Sequence, residues 1–149
     1  MGANMKFVRR YLWLFAALPW AFWALLSGQN PQSPIHFTYQ PIDFKLDSSE
    51  TPQRHAPETM AGGVAVFDYN NDGYLDIYFT NGADIATLKK SSPKYSNRLF
   101  ENDGHGNFKD VTEKAGLAGV GFDNGVAIGD YDNDGYKDIF VGGVHGNKL

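Results

Sequence analysis

The sequence predicts an all-β fold built from tandem repeats of short antiparallel strands, and three observations carry that prediction. An acidic loop, Asp68-Tyr69-Asn70-Asn71-Asp72-Gly73-Tyr74-Leu75-Asp76, recurs 62 residues later as Asp130-Tyr131-Asp132-Asn133-Asp134-Gly135-Tyr136-Lys137-Asp138. Both copies sit between short runs rich in β-branched and aromatic residues, which read as strands and not as helices. A second internal match pairs Asn97-Arg98-Leu99 with Asn147-Lys148-Leu149, and self-similarity of this kind marks a repeat architecture.

In chain order, residues 1–28 come first. Lys6, Arg9 and Arg10 precede an apolar run over residues 11–26, followed by Ser27-Gly28-Gln29-Asn30-Pro31, the order of a secretory signal peptide. A helix over the apolar run reaches only about 24 Å, short of the roughly 30 Å hydrocarbon core, and Pro19 interrupts it. Cleavage after Gly28 places Leu26 where a small residue is preferred, so retention as an N-terminal anchor is the alternative. The expected location is extracytoplasmic: secreted, periplasmic or at the cell surface, with membrane contact only through an uncleaved leader.

Residues 29–60 read as a linker with a lead-in strand, because Ile35-His36-Phe37-Thr38-Tyr39 alternates apolar and polar. The first repeat, residues 61–123, offers four strands at about 63–67, 75–80, 97–101 and 107–112. The last two flank the tight turn Asp103-Gly104-His105-Gly106. The second repeat, residues 124–149, offers strands at about 125–129 and 137–142 and the start of a third. A four-stranded antiparallel unit in tandem is the blade of a β-propeller, so about one and a half blades are expected. An unclosed stack exposes edges, and the chain is therefore expected to be the N-terminal part of a longer protein. The first repeat also carries about twelve extra residues within 83–96, with Lys89, Lys90 and Lys94. A solvated hairpin tip is the expected role, with a recognition loop as the alternative.

The loops carry the chemistry. Oxygen side chains stand at positions 1, 3, 5 and 9, and glycine at position 6 permits a sharp bend. Spaced two apart, these oxygens can turn inward around one hard cation such as Ca²⁺, which takes six to eight oxygen ligands in irregular geometry. An EF-hand shares the first half of the pattern but needs an acid at position 12 and an exiting helix. Phe79 and Val141 stand at that position here. Asp76 and Asp138 must then close the shell. A metal-free Asx-rich turn is the plainer alternative, but a turn alone does not need four oxygens at alternate positions.

Composition narrows the function classes. All 17 acidic residues but only ten of the 13 basic ones lie beyond residue 28, a poor surface for nucleic acid and a suitable one for divalent cations. Without cysteine there is neither a disulfide nor a thiolate zinc site. The histidines, His36, His55, His105 and His145, are scattered, and no nucleophile elbow or phosphate-cradling loop appears, so no catalytic residue is expected. Trp13, Trp20 and Trp23 all lie in the leader, which disfavours propellers that rely on a tryptophan in each blade.

Three segments carry a family resemblance: residues 58–76, residues 97–112 and residues 124–138. They resemble the FG-GAP/VCBS repeats of integrin-α-like propellers and, more closely, bacterial secreted proteins related to cartilage acidic protein. The resemblance implies a propeller, Ca²⁺ as cofactor and a binding role toward an unidentified protein or glycan. It implies as ligands Asp68, Asn70, Asp72, the carbonyl of Tyr74 and Asp76, and equivalently Asp130, Asp132, Asp134, the carbonyl of Tyr136 and Asp138. Asn70 departs from the usual acid at position 3. The alternative function is the propeller domain of a carbohydrate-active lyase or hydrolase that uses Ca²⁺ to hold an acidic sugar.

Overall fold

Alternation in Val64-Ala65-Val66-Phe67 gives that strand one inward and one outward face, and Ala65 and Phe67 on the inward one join the core. The computed structural model describes residues 35–149, and the expected leader and the first part of the linker lie outside the described residues. The chain divides into two units, Met1–Tyr39 and Gln40–Leu149. In the second, β1 (Val64–Phe67), β2 (Asp76–Phe79), β3 (Arg98–Asn102) and β4 (Phe108–Asp110) form a four-stranded sheet in that order. A three-stranded sheet follows, β5 (Asp123–Gly129), β6 (Asp138–Gly143) and β7 (Gly146–Lys148). All pairings are antiparallel, with Ala65 opposite Tyr78, Tyr78 opposite Leu99, and Val126 opposite Val141.

The core lies between the two sheets. Ala65, Phe67, Tyr78 and Leu99 from the first sheet and Val141 from the second are buried together with Val111, and Val126, Ile128 and Ile139 pack against them. Burying a residue such as Leu99 contributes roughly 1.5–3 kcal/mol relative to leaving it in water. The backbones approach most closely where β1 meets β5: a Cβ on Gly63 would lie 2.9 Å from the Cα of Gly125. On the opposite face of the first sheet, Phe44 stacks on Phe79 at 4.4 Å and Phe79 meets Phe100 edge-on at 6.1 Å.

Two expected strands differ from the structure. The run 107–112 pairs only over Phe108–Asp110, after which α1 (Thr112–Ala115) begins. Asp110 Oδ1 accepts from the Thr112 amide at 2.9 Å and from its hydroxyl at 2.6 Å, an Asx turn that competes with the ladder. The lead-in strand at residues 35–39 does not form: the segment is irregular and Phe37 is 95% exposed. Between there and β1, the chain is anchored instead by a short 3-10 turn, Ala56–Thr59. Glu58 is buried there and accepts from the Thr51 amide and hydroxyl at 2.6 and 2.8 Å and from the His55 amide at 3.1 Å.

The segment 83–96 is not a solvated tip. Ala83 and Tyr95 are buried, and Lys89 pairs with Gly121 in an isolated bridge. The ammonium of Lys90 donates to the carbonyls of Asn81, Gly82 and Tyr95 at 2.8, 2.8 and 2.7 Å. It also lies 3.4 Å from Asp123 Oδ2, the two side chains being 4% and 6% exposed. Asp123 in turn accepts from Asn97 Nδ2 at 2.8 Å, and the same nitrogen reaches the hydroxyl of Tyr78 at 2.8 Å. The extra residues of the first repeat thus tie its sheet to the first strand of the second. Burial draws the Lys90 pKa down to about 8 against the attraction of Asp123. Burial likewise raises the Tyr78 phenol to about 12.

Candidate metal centre

Both acidic loops bridge adjacent antiparallel strands, β1 to β2 and β5 to β6, as their flanking residues predict. They also share one backbone path. Gly73 and Gly135 both have φ 91°, a conformation that glycine adopts without a Cβ penalty. Asn71 and Asn133, at position 4, adopt φ 58° and 60°, and asparagine is among the few side chains that tolerate this region. The importance of position 4 escaped the sequence reading, although its identity in both copies was the available signal.

The side chains turn inward in the same way. In the first loop Asp68 accepts from the amides of Asp72 and Gly73 at 3.1 and 2.8 Å, and Asn70 Oδ1 accepts from Asp72 N at 3.1 Å. In the second, Asp130 accepts from Asp134 and Gly135 at 3.0 Å each, and Asp132 Oδ1 accepts from Asp134 N at 3.1 Å. The position-7 residues Tyr74 and Tyr136 each donate their amide to the position-5 carboxylate, Asp72 or Asp134, at 2.8 Å. The position-9 carboxylates close both loops by accepting from Tyr69 N at 2.9 Å and Tyr131 N at 2.7 Å.

Carboxylate oxygens of Asp130, Asp132 and Asp138 lie within 4.8 Å of one another, so one cation can touch all three. An all-oxygen donor set of this kind fits a hard cation, and Ca²⁺ better than a transition metal. Each backbone hydrogen bond uses only one lone pair of its oxygen, which leaves capacity for a metal. The first loop has the same path but an amide at position 3, and it is held more firmly. Asp76 is fully buried and accepts a further bond from Asn102 N of β3 at 2.8 Å. The Tyr74 ring lies against Gly104, where an added Cβ would come within 2.3 Å of it. The Tyr69 phenol pKa is raised by burial first and then by the carboxylates of Glu101, Asp76 and Asp72.

A mostly β chain with two antiparallel sheets and acidic strand-bridging loops at equivalent places is a tandem repeat protein, consistent with part of an all-β propeller. Residues 82–141 match the family model of the FG-GAP-like repeat, a stretch that contains the second loop and the junction between the sheets. That match supports an FG-GAP repeat protein, a class whose repeats often bind calcium and whose domains are typically non-enzymatic. The first loop lies outside the matched residues, and its likeness to the second rests on internal repetition. Comparison with curated proteins and with solved structures gave no match.

Proposed function

We propose that this chain is a calcium-binding FG-GAP repeat segment of a β-propeller, acting outside the cytoplasm in recognition of a protein or glycan. The observation that carries the reading is the duplicated loop: two copies with the same left-handed positions and the same inward carboxylate bonds. Asp68, Asn70, Asp72, the Tyr74 carbonyl and Asp76 hold one ion. Asp130, Asp132, Asp134, the Tyr136 carbonyl and Asp138 hold the other. The ions are structural: they cancel repulsion among carboxylates that the folds of the loops crowd together. The Asp residues at position 9 couple each loop to the strand that follows it, so loop order and sheet order depend on one another.

Extracellular sites of this kind bind with Kd of about 10⁻⁴–10⁻³ M. At tenfold Kd an ion stabilises the folded chain by roughly 1.4 kcal/mol per site. Calorimetric titration of the chain is expected to give two bound Ca²⁺, with Asp72→Ala and Asp134→Ala each removing one. Chelation is expected to lower the melting temperature. No calcium uptake, or an identical melt with and without chelator, overturns the reading.

A further inference from the structure

The two loops differ at position 3, where Asn70 stands in the first and Asp132 in the second. Their Oδ1 atoms do the same local work, each accepting from the position-5 amide at 3.1 Å. The difference lies in the other atom. Asn70 Nδ2 donates to Asp72 Oδ2 at 2.9 Å and to Glu101 Oε1 on β3 at 3.4 Å. Those acceptors hold the amide with its nitrogen toward them and its oxygen toward the loop amides, the orientation a cation ligand requires.

Glu101 reaches this place from a strand end that is itself fastened to the loop. Its neighbour Asn102 donates from its backbone to Asp76 Oδ1 at 2.8 Å and from its side chain to Leu75 O at 3.1 Å. Lys109 faces Glu101 across the β3–β4 ladder, yet among the described residues no ion pair joins them. A carboxylate that leaves an adjacent lysine unpaired and adds to an already acidic loop raises the local repulsion. A cation in the loop removes that cost. Asp68, Asp72 and Asp76 bring three carboxylates to the first loop against four in the second, and Glu101 makes the two equal.

We propose that Glu101 is a positioning residue of the first calcium site: it fixes the orientation of the Asn70 amide and returns the negative charge that asparagine removes. This rests on the calcium reading above and deepens it. Partners one step beyond the ligands set their orientation and basicity, and their loss typically weakens metal binding about tenfold or more.

The test is Ca²⁺ titration of the full chain, once with both loops intact and once with Asp134→Ala so that only the first loop binds. Glu101→Gln keeps an acceptor for Asn70 and loses the charge, and it is expected to weaken the first site about tenfold. Adding Asn70→Asp to Glu101→Gln is expected to restore the affinity, while in chelator Glu101→Gln melts no lower than the parent, because the repulsion falls with the charge, and the double variant returns to the parent value. The two-loop titration gives the same comparison should Asp134→Ala fail to fold. An unchanged first-site affinity in Glu101→Gln overturns the proposal, as does a loss that Asn70→Asp fails to restore. A parent chain that takes up no Ca²⁺ overturns the calcium reading itself, an outcome distinct from two ions bound with Glu101 indifferent.

Discussion

Replacing Lys90 by methionine keeps most of the side-chain volume and removes only the ammonium. The carbonyls of Gly82 and Tyr95 then lose the ammonium that donates to them, the Asn81 carbonyl keeps only the Asp123 amide at 3.2 Å, and the Asp123 carboxylate keeps Asn97 alone among its two side-chain partners. At 3.4 Å the ion pair itself is worth about 5 kcal/mol of Coulomb attraction at an effective dielectric of roughly 20. Desolvation of the ammonium outweighs that attraction, which is why the Lys90 pKa falls despite the carboxylate beside it. The pair therefore adds little net stability while it is intact. Removing one partner is different, because it leaves a charge buried without compensation, at a cost of about 3–5 kcal/mol. For a domain of this size that lowers the melting temperature by roughly 12–20 °C. Thermal and denaturant unfolding of Lys90→Met measure the loss. Asp123→Asn in the same chain is expected to recover about half of it by removing the stranded charge. A loss within about 0.5 kcal/mol, the behaviour of a surface lysine, refutes the reasoning. So does a double variant no more stable than Lys90→Met.

Glycine at position 63 is expected to be irreplaceable and its repeat counterpart is not. A Cβ on Gly63 would press on the Gly125 backbone at 2.9 Å, so Gly63→Ala costs about 1–3 kcal/mol in denaturant unfolding, whereas Gly125→Ala meets nothing within 4 Å and stays near neutral. For Glu58, desolvation pushes the carboxyl pKa up, but bonds from Thr51 and His55 outweigh it and hold the pKa below the usual range. Its contribution to stability is therefore present above the unfolded value of about 4.3 and is lost as pH falls through the lower folded value. The protection of the Thr51 and His55 amides against hydrogen exchange, taken relative to the intrinsic rate at each pH, is expected to fall in acid, and Glu58→Gln is expected to remove that acid dependence. Protection factors at these amides that are insensitive to both acid and the substitution refute it.

What was legible in the sequence follows from chemistry that acts locally. The loops were readable because oxygen spacing and a left-handed glycine are properties of nine consecutive residues, and the strands because alternation survives in both copies. The burial of Lys90 was not readable. A lysine within a segment rich in lysine and serine reads as solvated, and nothing near it in sequence announces Asp123 or the carbonyls of Asn81 and Tyr95. Asn97 was singled out as a repeat marker, but its bonds to Tyr78 and Asp123 depend on two sheets meeting. Residues 35–39 show the converse failure: the pattern was right for a strand, and the segment is irregular.

The two copies of the repeat differ in what covers them. Residues that line the core on the first sheet have counterparts on the outward face of the second: Ala65 and Ala127, Tyr69 and Tyr131, Tyr78 and Phe140, Leu99 and Leu149. The first of each pair is wholly or partly buried because the second sheet covers it, whereas Ala127, Tyr131, Phe140 and Leu149 are all exposed. Ala127, Tyr131, Phe140 and Leu149 line one hollow of about 480 Å³ beside Asp130 and Asp138. Gly125 has the open space in front of it that β5 fills in front of Gly63. Apolar side chains of the same type at the same register are covered in one copy and bare in the next, so the repeat unit buries this face only against a neighbouring sheet. The polar staple has no such counterpart, since Phe140 lacks the Tyr78 hydroxyl and the second repeat has no equivalent of Lys90. The junction between the two sheets therefore combines apolar packing with a polar tie that only the first repeat carries, so the Lys90 substitution tests the part of that junction which internal repetition does not supply.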